Sequence, residues 1–138
     1  MQSNIRKAFE KRLISMPNGL GVSKTAFENT PFNPVELEPY QMSRLVPVDA
    51  ENPTFGDDYS REIGFWQVVL SYPKGQGVGA MTAMAEKIKA YFKRGTTLTE
   101  GTDRVIVERT PSISSIYITD TRAELVVRIK YYCEQFTA

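Results

Sequence analysis

The chain has no histidine and one cysteine, Cys133, in 138 residues. With that shortage the common zinc and copper ligand sets cannot be assembled within one chain, and neither Ser-His-Asp nor Cys-His catalysis is available. A lone cysteine also excludes an internal disulfide. Cys133 stands in an apolar alternation near the C-terminus, where a buried structural thiol is expected. Charge of one sign is equally scarce: seventeen Lys and Arg face sixteen Asp and Glu, a formal net charge of +1. No strong non-specific attraction to nucleic acid or to an anionic membrane follows from that balance. Long hydrophobic runs are missing too. The opening stretch MQSNIRKAFEKRL mixes charges with apolar residues, so neither a signal peptide nor a membrane span is expected, and synthesis in the cytoplasm is. There is no internal repeat and no low-complexity tail.

What is present is enough for one domain, 1–138, because a chain of this length buries roughly two-thirds of its unfolded surface. Its organising stretch runs from Tyr59 to Leu98. Residues 63–72 alternate Trp66, Val68, Leu70 and Tyr72 with Ile63, Phe65 and Val69, which predicts a strand covered on both sides. Pro73 ends the pairing. After the glycines 75, 77 and 79, the residues Val78, Met81, Ala85, Ile88 and Phe92 recur at helical spacing, and Gly95 is placed to cap that helix. Upstream, residues 3–16 read as a helix with Ile5, Ala8, Phe9, Leu13 and Met16 on one face. Residues 24–28 read as an edge strand. Residues 40–48 read as a strand with Tyr40, Met42, Leu45 and Val48 as apolar contacts. Downstream, residues 99–103 read as a polar turn, 105–110 and 113–119 as extended pieces, and 120–122 as a turn. The final strand has the cleanest pattern, with Leu125, Val127, Ile129, Tyr131 and Cys133 facing inward. The order predicts an α+β fold: a mostly antiparallel β-sheet with two α-helices packed on one face.

The chemistry-bearing candidates are few. The glycine turn at 74–80 follows a strand and opens a helix, where anions are favoured, yet it ends in neither Gly-Lys-Ser/Thr nor G-x-G-x-x-G. A nucleotide-binding enzyme using this turn is therefore the lesser alternative, and a flexible connection is expected instead. Residues 49–60, DAENPTFGDDYS, form a polar loop longer than a hairpin needs. Its carboxylates Glu51, Asp57 and Asp58 lack the spacing of a cation site. Phe55, at the tip, is the aromatic least easily explained as core and the best candidate for an anchor in a partner's pocket.

Several runs coincide with one known family. Glu51-Asn-Pro-Thr-Phe-Gly56, Arg61-Glu-Ile-Gly64, Tyr72-Pro-Lys-Gly-Gln-Gly77, Phe92-Lys-Arg-Gly-Thr96 and Glu108-Arg-Thr-Pro-Ser112 together resemble the tail terminator or tail completion proteins of long, non-contractile-tailed bacteriophages and prophages. The resemblance implies a structural virion protein at the head-proximal end of the tail, with no enzymatic activity and no cofactor. It implies a homo-oligomer, a hexameric ring that stops growth of the tail tube. Its partners would be the major tail tube protein and the head completion or connector protein. Phage DNA would pass through the lumen without specific binding, and no membrane is involved. It maps the loop 49–60, with Glu51, Phe55, Asp57 and Asp58, onto a ring interface or lumen. A closing ring needs heterologous contacts, and Arg61 beside that loop and Arg94 at a subunit contact are the further candidates. Another head-tail connector component or a tail tube subunit remains the alternative within the same virion.

Overall fold

A computed structural model describes residues 2–34, 37–48 and 59–136. Helix α1 (Gln2–Ile14) is followed by a short 3-10 turn and by the strands β1 (Thr25–Ala26), β2 (Tyr40–Pro47) and β3 (Tyr59–Pro73). Helix α2 (Gly79–Tyr91) comes next, then β4 (Thr97–Glu100), β5 (Asp103–Val107), β6 (Ser112–Ile113), β7 (Tyr117–Ile118) and β8 (Arg122–Phe136). The strands form one sheet in the order β1-β2-β3-β8-β5-β4, with β6 and β7 also paired to β8. Among the described residues, only the β1–β2 pairing is parallel. The α+β expectation is met.

β3 and β8 are the spine, paired antiparallel from Tyr59↔Phe136 to Pro73↔Arg122. Their register puts Trp66 opposite Ile129 and Val68 opposite Val127, so the apolar phases of both strands coincide on one face. Both helices cover that face. Phe9 of α1 stacks on Trp66 with ring centroids 4.9 Å apart, and Phe92, just after α2, approaches Trp66 at 5.2 Å. Tyr131 meets Phe9 edge-on at 5.6 Å. Trp66, Phe9, Phe92 and Cys133 are all fully buried, as the positions of the two apolar stripes require.

Four expectations need correction. The strand around Trp66 is covered on one side only: Ile63, Phe65 and Val69 are half-exposed on the face away from the helices. In β2 the phase is inverted at its start. Gln41 and Ser43 point inward with Leu45, while Tyr40 and Met42 turn outward and Val48 is exposed. Hydrogen bonds hold these polar residues inward, and of their side-chain atoms Gln41 Oε1 is buried without a partner among the described residues. The Trp66 Nε1–H donates to Ser43 Oγ at 2.9 Å, Ser43 Oγ–H donates to Glu10 Oε2 at 3.2 Å, and Gln41 Nε2 donates to Thr25 Oγ1 at 2.9 Å. The span 99–103 is turn only at 101–102: Thr99 and Glu100 belong to β4 and Asp103 to β5, and Glu100 pairs with Asp103. Finally, α2 ends at Tyr91 with Phe92 as its C-cap, and Gly95 sits beyond it, at φ 86, donating its N–H to Val107 O at 2.9 Å.

Candidate assembly surface

Alternation along β3 and β8 sends one set of side chains into the helix-covered core and the other set to a face that no helix covers among the described residues. On that open face the cross-strand rows read Met42–Val69–Val126, Arg44–Gln67–Arg128 and Val46–Phe65–Lys130 from β2 through β3 to β8. Further along lies Ile63–Tyr132–Ile106, which runs on into β5. The result is an apolar strip crossed by cations.

The partners of those cations divide them into two groups. Arg61 Nη2 lies 3.2 Å from Glu134 Oε1 and its guanidinium sits 5.0 Å from the Tyr132 ring centre. Lys130 Nζ lies 3.0 Å from Glu108 Oε2. Arg128 instead lies flat over Phe65 at 4.9 Å. With the Gln67 amide turned so that its oxygen faces the guanidinium, that oxygen accepts from Arg128 Nε and Nη2 at 3.2 and 3.1 Å. Arg44, Arg104 and Arg128 are exposed and make no ion pair among the described residues. Beside Arg128 a shallow hollow of about 450 Å³ is lined by Gln67, Ser112, Ile113, Ser114 and Val126, a set with hydrogen-bonding capacity for a carboxylate.

The borders of the face are defined. At one end the Arg122 guanidinium lies over Tyr40 at 4.9 Å and its Nη1 donates to Glu38 O at 2.6 Å, while Phe32 packs against Tyr40 at 5.3 Å. Along the β2 border, Glu28 Oε1 accepts the Leu45 N–H at 2.6 Å and Pro47 has no N–H to offer. That edge is closed to an added strand beyond β1.

Of the residues singled out in the sequence, Arg61 is on this open face. Arg94 is exposed at its β5 side, lining a hollow with Glu108, Arg109 and Thr110. Glu51, Phe55, Asp57 and Asp58 lie outside the described residues. The sequence reading did not single out Arg44, Arg104 and Arg128. The signal was available, since each alternates with an inward-facing apolar or polar position, but it is readable only once the face is known to lack a cover. The glycine turn is a connection: Gly75 and Gly77 have φ of 87 and 77, and a Cβ on Gly75, Gly77 or Gly79 would meet nothing within 4 Å. Gly75 and Gly77 serve backbone conformation, and no atom among the described residues presses on any of the three.

A family model described as phage tail terminator protein matches residues 4–131, from α1 to the middle of β8. The chain belongs to the phage tail terminator family. A solved structure whose name states no function is similar to this terminator, with 25% sequence identity and a TM-score of 0.77, covering 100% of this chain and 98% of that one. No curated protein matches. The terminator is thus a structural component of a phage tail, and membership in the family implies contact with tail tube and head components.

Proposed function

We propose that the protein forms a homohexameric ring at the head-proximal end of the tail tube, where it stops tube polymerisation and presents a face to the head completion or connector protein. The family match over residues 4–131 carries this reading. The whole chain acts as one terminator domain. Its work is shape complementarity, with no reactive centre and no cofactor, and DNA passes through the ring without being specifically held.

The open face supports the reading physically. A sheet face with half-exposed Ile63, Phe65 and Val69 is an apolar surface of the kind that protein contacts cover. Ring closure needs heterologous contacts, in which one surface of each copy meets a different surface of the next. Arg61 and Arg94 belong to such contacts in this reading, with Glu51, Phe55, Asp57 and Asp58 at the interface or the lumen.

The test is light scattering of the purified protein with and without preformed tail tubes, followed by electron microscopy of the tube ends. One ring of six copies at a single tube end is expected. Long stacked polymers would point to a tube subunit, and a monomer indifferent to tubes would overturn the proposal.

A further inference from the structure

We infer that the open sheet face is the receptor for the acidic segment 49–58 of a second copy of this chain. The inference rests on the ring reading above and assigns its two complementary surfaces.

Charge in this protein is balanced in total and segregated along the chain. All seventeen Lys and Arg lie outside residues 49–58, with twelve of the sixteen acids, an excess of five positive charges. The segment 49–58, DAENPTFGDD, carries four carboxylates, Asp49, Glu51, Asp57 and Asp58, and no cation. Its sequence also holds Phe55, an aromatic suited to an apolar strip. The open face offers the counterpart of each feature. Arg44 and Arg128 flank Gln67 in one row across three strands, so two like charges stand about 10 Å apart at ordinary strand spacing, neither ion-paired among the described residues. Arg104 adds a third free charge beyond the Arg61–Glu134 pair. The apolar strip of Phe65, Val69 and Val126 lies between and beside them.

The opposite charges of face and segment make contact between copies head-to-tail. Face on face would set arginine against arginine, and segment on segment would set carboxylate against carboxylate. Each copy has one of each surface, the condition for a heterologous contact. The β2 edge is closed by Glu28 and Pro47, which leaves the face rather than that edge as the place of contact.

Two variants test this. One reverses the face, Arg44→Glu with Arg128→Glu. The other reverses the segment, Glu51→Lys with Asp57→Lys and Asp58→Lys, which takes its net charge from −4 to +2. Each is first melted to confirm the fold, and Arg44→Gln with Arg128→Gln is kept as a milder face variant should the reversal unfold. Assembly is then read by sedimentation and by rings at tube ends. Each reversed variant by itself should need about tenfold or more protein to assemble, and wild-type assembly should weaken as salt rises. Mixed one to one, the two variants should form rings again, because each segment then finds a face of opposite sign on its neighbour.

Folded variants that assemble singly as well as wild type would overturn the inference and leave the terminator reading standing. A mixture that stays apart would do the same, since it would mean that segment and face do not meet between copies. Wild type that forms no ring with or without tubes would remove the ring reading itself and this inference with it.

Discussion

The Tyr131 hydroxyl lies over Gly64, so close that a Cβ on the glycine would be 2.7 Å from Tyr131 Oη. The same Cβ would lie 2.7 Å from Val46 O and 3.0 Å from Pro47 Cα, both of them backbone atoms that cannot swing aside. Tyr131 is itself buried, and burial, followed by the Glu62 carboxylate, pushes its phenol up to about 12. Gly64 therefore sets how closely β2, β3 and β8 can approach at the end of the sheet next to the acidic segment. Gly64→Ala should cost about 1–3 kcal/mol, the range for overpacking a filled site, and lower the melting temperature by several degrees. An unchanged melting temperature would contradict the close approach.

Ser43 joins the indole of Trp66 to the Glu10 carboxyl. Ser43→Ala leaves a fully buried Nε1–H without an acceptor, at an expected cost of about 1–3 kcal/mol. Urea unfolding would register this as a lower midpoint with an unchanged slope.

Glu10 makes the same chain sensitive to pH. Desolvation raises its pKa above the ordinary 4.5, against the lowering influence of Ser43 and Arg6. The folded state holds this proton more tightly than the unfolded chain does. The group thus contributes stability below its unfolded pKa, and that contribution is lost as pH rises through the raised folded value. Glu10→Gln keeps a hydrogen-bonding partner for Ser43 and carries no charge to desolvate. Its stability relative to wild type should improve as pH rises from below the ordinary 4.5 through the raised folded value. A difference that stays flat or falls over that range would refute the assignment.

Cys133 is fully buried, and burial pushes its thiol up to about 11. At neutral pH it is protonated and shielded, and the thiolate is the reactive species. A thiol reagent should modify it only as fast as the protein opens, and reaction within seconds in native buffer would show that the site is accessible.

Phe55 and Asp58 give the simplest test of the segment between β2 and β3. Phe55→Ala or Asp58→Lys should leave the melting temperature of the monomer within experimental error of wild type while impairing assembly or tail completion. Unfolding of either variant where wild type is folded would show a role in the subunit's own stability.

Sequence by itself determined the fold class, the two helices and the inward phase of β8, because those elements carry strong periodicity. Leu125, Val127, Ile129, Tyr131 and Cys133 alternate without interruption, and all five are buried. It also determined that no histidine is available to any site, since no packing arrangement can supply one. Family resemblance was legible in the same way, from ordered short runs spread along the chain.

The phase of β2 was not legible. Gln41 and Ser43 can face inward only because Thr25, Trp66 and Glu10 bring hydrogen-bond partners from other parts of the chain. Nor could the open face be read locally. A strand with apolar residues on both sides looks the same whether its second face meets a helix of its own chain or a neighbouring molecule. Only the placement of α1 and α2 on one side decided that Phe65 and Val69 lack a cover. It also gathered Arg44, Arg104 and Arg128, far apart in sequence, on one surface, because strand register and not chain order determines which side chains are neighbours.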